Sequence, residues 1–271
     1  MKGWERRRDE IRETQVEETG KRVILVEGTD DVSVYGILMD RRFGSDFEKN
    51  WVVTYAGNKK IILDTLSKEN TWLGLIDRDE WTEDVIIEKQ NQLPNLLVLP
   101  RFCMESYLIE PEELWKAFPE NQRNKIAGGL EQLRGEVLIE KDKWLRHGVL
   151  WSVINPLWQG LRALGFKEAL LDFNNAQDDA RIQAQLEEWH NFLEPNQIYV
   201  SFKDRLSDVA ERDETEQITR WVHGKMFFET HVNQVLNRLL GQRSLQDRKR
   251  DIFQTRALPG DLNPLWEKIE L

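Results

Sequence analysis

Apolar and polar positions divide the chain into two textures. In the first, short continuous apolar runs alternate with segments whose apolar positions recur at helical spacing. Val23–Glu27, Trp51–Tyr55, Leu73–Asp77 and Leu96–Leu99 are the runs. Continuous apolar stretches of this length suit strands buried on both faces. Between the first two, residues 31–39 carry a stripe of Val34, Ile37 and Leu38, with Thr29 or Asp30 available as the helix cap. Residues 43–47 read as a loop. Asn58, after Gly57, is placed to cap a helix through Leu66. Pro100 ends the fourth run, and Pro111 suits the first turn of a further helix. Residues 1–20 are charged and predict a helix, on which Arg6, Arg7 and Arg8 read as a solvated face, with a phosphate contact as the alternative. This alternation predicts an α/β fold with a small parallel four-stranded sheet flanked by helices.

After about Phe118 the texture changes. Polar stretches with Leu, Trp and Phe at helical spacing predict helices over residues 121–173, 178–192, 213–240 and 264–269. Residues 197–202 read as one more strand. The expected organisation is an α/β domain over residues 20–118, followed by a mostly helical region over 119–271. No internal repeat and no low-complexity linker interrupts it.

Composition narrows the function classes. The chain of 271 residues is 40% hydrophobic and 32% charged, with eleven Trp and a formal net charge of −10. An acidic chain lacks the overall basic footprint of a nucleic-acid binder, although local basic clusters and metal ions can offset it. The single cysteine, Cys103, excludes an internal disulfide framework and a cysteine-based zinc site. No apolar run approaches the ~20 residues of a membrane span. The N-terminus has no apolar signal core, so the expected location is cytoplasmic.

The candidate chemistry lies where two apolar runs end in acid. RVILVEG runs into Glu27, Gly28, Thr29, Asp30 and Asp31, and WLGLIDRD ends in Asp77 and Asp79. Sites in open α/β sheets form at the carboxyl ends of strands. If the two strands are parallel neighbours, at least three carboxylates meet at one edge and repel one another unless a cation lies among them. Oxygen-only ligands favour Mg²⁺ or Mn²⁺ over zinc. Asp77 and Asp79, two apart, point the same way if the backbone stays extended. Asp31 reads equally as a first-turn helix acid, with Asp30 as its competitor. Glu105, in FCMESYL, is the fifth acid; it too reads as an acid at a helix start. Lys59 and Lys60, after Gly57-Asn58, face either phosphate at the sheet edge or solvent on a helical turn. Lys225 reads as either a phosphate-facing or a solvated lysine. The four histidines show no zinc spacing, and only His223 lies beside a motif. Arg248, Lys249 and Arg250 form a basic cluster that reads as solvated, with a nucleic-acid face as its alternative.

Glu27-Gly28 with Asp31, followed about fifty residues on by Asp77-Arg78-Asp79, resembles the Toprim domain, the metal-binding fold of topoisomerases, primases and several nucleases. Glu105 after the fourth strand resembles the corresponding glutamate of the OLD (overcoming lysogenization defect) class of Toprim nucleases and their stand-alone relatives. His223-Gly224-Lys225 and the ending Leu258-Pro259-Gly260-Asp261-Leu262 are similar to late segments of the same group. The resemblance spans about residues 22–110 and, more loosely, 215–265. It implies a Mg²⁺- or Mn²⁺-dependent nuclease with two ions, acting on DNA or RNA. By the same resemblance, Glu27 and Asp31 hold one metal with help from Asp77, and Asp79 and Glu105 serve that metal or a second. Lys225 then stabilises negative charge developing on the phosphate or the leaving oxygen. Two ions about 4 Å apart activate water and stabilise the leaving oxygen of an in-line displacement.

Other Toprim classes fit less well. Topoisomerases need a tyrosine nucleophile and more chain, and primases bring cysteine-ligated zinc. The chain has no G-x-x-x-x-G-K-[ST] loop, so an ATPase of the kind fused to OLD nucleases would be a separate protein. The resemblance implies a defence effector working with an ABC-type ATPase. The alternative is a non-catalytic Toprim module that binds a partner protein or nucleic acid; an α/β protein holding a small phosphate compound is a third reading.

Overall fold

Four apolar runs set the centre of the molecule: β1 (Arg22–Val26), β2 (Trp51–Tyr55), β3 (Leu73–Ile76) and β4 (Leu96–Val98). They form one parallel sheet in the order β2-β1-β3-β4. The structure is a computed structural model and describes residues 3–270. Ile24 lies opposite Leu73 and Leu25 opposite Gly74, so β1 and β3 are direct neighbours and their carboxyl ends lie side by side.

In chain order, α1 (Gly3–Ile11) runs on through a π-helical turn at Arg12–Glu17 and precedes β1. The helices α2 (Thr29–Phe43) and α3 (Asp46–Asn50) join β1 to β2, α4 (Lys59–Leu66) joins β2 to β3, and α5 (Glu83–Gln92) joins β3 to β4. A 3₁₀ turn, Met104–Leu108, and α6 (Pro111–Ala117) follow. Next come α7 (Glu120–Arg123), α8 (Gly129–Leu138), α9 (Lys141–Ala163), α10 (Glu168–Leu171), α11 (Asp179–Phe192) and α12 (Pro195–Ala210). The chain ends with α13 (Glu214–Glu216), continued by a π-helical turn to Trp221, and α14 (Gly224–Phe227), continued to Val232, then α15 (Asn233–Leu240), α16 (Leu245–Thr255) and α17 (Asn263–Glu270).

Successive residues of a strand face opposite sides, and here both sides are covered. Val23 and Leu25 join Ile11, Ile62, Leu66, Trp72, Ile76 and Leu96 under α1 and α4. Ile24 and Val26 join Leu38, Leu108, Phe227, Val235, Phe253 and Trp266 on the other side. The second cluster therefore holds residues from the sheet half and from the last third of the chain. Gly74 lets α4 pack closely on the first side: a Cβ there would come within 2.5 Å of Leu66 Cδ1 and 2.7 Å of Ile62 Cγ2.

The helical half departs from expectation in two places. Residues 197–202 are not a strand but the start of α12. Pro195 occupies its first turn, and Glu194 Oε2 accepts from the Gln197 N–H at 2.7 Å, so the segment starts as a capped helix. Phe202 and Val209, seven apart on one face, are buried, while Tyr199 and Val200, which suggested a strand, are exposed. The helical stretch 121–173 is broken into pieces, one break falling at Gly128-Gly129, where Gly129 takes φ +62. In residues 43–47, α2 runs on to Phe43 and α3 begins at Asp46. No residue from 162 through 201 is buried. Among the described residues, no helix is long and apolar enough to cross a membrane.

Candidate metal and phosphate site

Glu27 and Asp77 are the first residues beyond β1 and β3. The Asp77 N–H donates to Glu27 Oε1 at 3.1 Å, which ties the two strand ends together. Asp77 Oδ1 in turn accepts from the Met104 N–H at 3.2 Å, at the start of the 3₁₀ turn that carries Glu105. Asp31 reaches back across the first turn of α2, where its Oδ2 accepts from the Gly28 N–H at 2.9 Å. Gly28, not Thr29 or Asp30, is the N-cap residue; it has no side chain to cap with, and the N3 acid satisfies its backbone N–H instead. Asp30 is exposed and meets Gln246 on α16.

Asp79 departs from the extended path. Its φ is +50, in the left-handed region that aspartate tolerates better than most residues. Its N–H donates to Phe102 O at 2.8 Å, and its Oδ2 accepts from Lys59 Nζ at 2.7 Å. Asp77 and Asp79 therefore do not form the parallel pair that extended backbone predicts; they have separate anchors.

The electrostatics show how closely the acids crowd. Asp77 is pushed well above the usual carboxylate range, first by burial and then by Asp79, Asp31, Glu27 and Glu105. Glu27 is pushed up to about 7, chiefly by burial, with Lys59 opposing and Asp79 and Asp31 adding to it. Asp31 is pushed up to about 6 by burial; the Gly28 N–H opposes, Glu105 adds, and Lys225 draws it back. Glu105 behaves differently. Burial pushes it up, but Lys249 outweighs burial and holds it below its ordinary value.

Lys249 is the residue that the sequence reading misplaced. It is not a solvated member of a basic run: its side chain is 4% exposed, with Nζ 2.7 Å from Glu105 Oε1 and 3.6 Å from Glu229 Oε1. Arg248 is buried too, donating to Asn237 and to the Gly241 carbonyl. The available signal is periodicity: Leu245, Arg248, Lys249, Ile252 and Phe253 fall on one helical face of α16. Arg250 alone of the three is exposed.

Of the predicted phosphate-facing lysines, Lys59 is held by Asp79 and lies over the Trp81 ring at 4.7 Å, and Lys60 is exposed and paired with Asp64. Lys225 is exposed on the first turn of α14, and among the described residues its side-chain ammonium makes no hydrogen bond or ion pair. Gly224 explains its position. A Cβ there would come within 2.9 Å of Ser106 N and 3.0 Å of Cys103 Sγ, so only glycine lets α14 seat on the Glu105 turn. His223 is the cap of α14: its Nδ1 accepts from the Met226 N–H at 3.4 Å, and burial pushes its pKa down.

Two cavities flank the acids. One of about 330 Å³ is lined by Asp31, Glu105, Gln246 and Lys249. The other, about 220 Å³, opens beside Asp79 toward α9, α12 and the turn ending at Trp221. In ligand type, though not in arrangement, the five carboxylates from three segments are the oxygen donors that hard divalent cations take. As arranged, the side chains are not closed around one point. Among the described residues, no group of three or more His, Cys, Asp or Glu side chains is gathered tightly enough to hold an ion.

In comparison with known proteins, no family model matches the chain and no curated protein matches it. The Toprim resemblance therefore rests on its own residues.

Proposed function

We propose that this protein is a divalent-metal-dependent nuclease of Toprim type that hydrolyses phosphodiester bonds of DNA or RNA. One observation carries the reading: the carboxyl ends of β1 and β3 lie side by side, with the Asp77 N–H donating to Glu27 Oε1 at 3.1 Å and Asp77 Oδ1 accepting from the Met104 N–H at 3.2 Å on the turn that carries Glu105, so that acids from three segments crowd one sheet edge. Such crowding is unfavourable without a cation to offset it. Glu27, Asp31 and Asp77 would hold one ion, with Asp79 and Glu105 serving it or a second. Bound Mg²⁺ or Mn²⁺ would supply a polarised phosphoryl oxygen and an activated water. Lys225, the cation near Asp31, would meet the negative charge on the substrate phosphate. We further propose, from the resemblance alone, that it acts as a defence effector with a separate ABC-type ATPase.

A second reading has its own support. Lys59 on Asp79 and Lys249 on Glu105 already neutralise two of the five acids, which favours a non-catalytic module that binds a partner protein or nucleic acid. Cleavage of plasmid DNA, single-stranded DNA and total RNA with Mg²⁺, Mn²⁺ or EDTA separates the readings. The nuclease reading expects metal-dependent cutting that is lost in the double variant Asp77→Ala, Asp79→Ala. If wild type does not cut, alone or with the product of a neighbouring ATPase gene, the binding module is the better reading.

A further inference from the structure

The cavity beside Asp79 has a charge arrangement that metal chemistry does not require. Four arginines line it: Arg78, Arg205, Arg212 and Arg220. Three are tied to carboxylates of the same wall. Arg78 meets Glu83 at 2.9 Å, Arg212 meets Asp208 at 3.0 Å and Glu216 at 3.3 Å, and Arg220 meets Glu83 at 3.5 Å and Glu216 at 3.8 Å. Asp79 is held by Lys59, and Glu80 has no ion pair among the described residues.

Arg205 differs from the other three. It is half-buried, and its NH1 donates to Ser152 O at 2.9 Å and Ser152 Oγ at 3.0 Å, both neutral acceptors. It has no carboxylate partner among the described residues, and burial alone pulls its pKa down. A half-buried guanidinium bonded only to neutral acceptors keeps its charge and further N–H donors available to an anion. The wall is also closely packed. Gly148 on α9 lies so close to the Trp221 backbone that a Cβ would come within 2.9 Å of the Trp221 carbonyl carbon. The volume, about 220 Å³, is below the ~300–1,000 Å³ of sites for drug-sized ligands, and so suits a phosphate group with part of its sugar.

We propose that this cavity binds a backbone phosphate of the polynucleotide strand, with Arg205 as its anchor, next to the phosphodiester presented to the acid cluster. The assignment rests on the nuclease reading for the identity of the strand and on Asp79, which belongs to both the cluster and the cavity wall, for its position. The same chemistry would take a free phosphate or a mononucleotide, so the test carries both.

Binding is read in EDTA, where no cleavage contributes. Fluorescence anisotropy follows short labelled single-stranded DNA and RNA oligonucleotides, with inorganic phosphate and mononucleotide as competitors. Arg205→Met should weaken oligonucleotide binding about tenfold, as expected for loss of a charge-assisted hydrogen bond. It should also reduce the slope of log affinity against log salt by about 0.7–0.9. Its thermal midpoint should stay within a few degrees of wild type, because Arg205 is half-exposed and has no ion pair to lose among the described residues. Arg205→Lys should recover part of the affinity. Unchanged binding in Arg205→Met, or a lowered midpoint as its only effect, overturns the inference and leaves the nuclease reading untouched. Arg205-dependent binding of phosphate or mononucleotide without oligonucleotide binding overturns the strand assignment. Arg205-dependent oligonucleotide binding in a protein that never cuts upholds the phosphate site and overturns the nuclease instead.

Discussion

At the residue scale, the two partly buried carboxyls with raised pKa values make stability depend on pH in an unusual direction. Glu27 titrates near 7 in the folded chain against an ordinary 4.5, so the folded state holds its proton more tightly than the unfolded state. Stability from this group is full below about pH 4.5 and is lost as pH rises through about 7. Asp31 acts the same way between 3.8 and about 6. In EDTA, denaturant titrations should show stability falling by up to about 3 kcal/mol from Glu27 between pH 4.5 and 7.5. Glu27→Gln should flatten that part of the curve; a wild-type curve that rises across this window would refute the assignment. Mg²⁺ should restore stability at the upper end, because a cation binds the deprotonated form. Lys249 gives a second test at this scale. Lys249→Met leaves Glu105 buried and unpaired and should cost about 3 kcal/mol or more. Adding Glu105→Gln should return much of it, read as the coupling in a double-mutant cycle. The sequence displayed all five acids, since each follows or closes an apolar segment. It hid the Glu105–Lys249 pair, whose members are 144 residues apart, because local pattern carries no record of such a contact.

At the element scale, caps and close approaches hold the site. Asn58 Oδ1 accepts from the Ile61 N–H at 3.0 Å and starts α4, the helix that carries Lys59 to Asp79. Asn58→Ala should cost about 1 kcal/mol in chemical unfolding. Gly224→Ala should cost about 1–3 kcal/mol through crowding against Ser106 and Cys103. If the proposed nuclease activity is present, Gly224→Ala should also lower the cleavage rate more than that loss of stability explains, because the displaced turn carries Lys225; an unchanged rate would separate Lys225 from the proposed chemistry. Elements were legible where burial is two-sided. All four strands fall within a residue of their apolar runs, and α4 starts at its predicted cap. The reading failed at 197–202, where β-branched and aromatic residues imitate a strand while Pro195 and the Glu194 cap start a helix. The parting of Asp77 and Asp79 was equally hidden, since a left-handed φ at an aspartate leaves no compositional trace.

At the scale of the whole molecule, one apolar cluster joins the sheet to α14–α17, while the limb from 162 through 201 adds nothing to it. That limb displays Leu171, Phe173 and Leu186 to solvent, and Trp189 and Gln185 are bonded only to the Leu164 carbonyl and within α11. Replacing residues 165–193 by a short Gly/Ser linker should leave the thermal midpoint within a few degrees of wild type; a fall of tens of degrees would show that the limb supports the core. The chain order of the site has a further meaning during synthesis. A nascent chain that has emerged only to residue 220 already contains all four strands and all five acids, yet neither Lys225 nor Lys249 has left the ribosome. Glu105 then has no ammonium, and the far side of the sheet has no α14–α17 to cover it. The acid cluster gains its buried ammonium and its apolar cover only with the last fifth of the chain, so truncated translation products would carry the five acids without either.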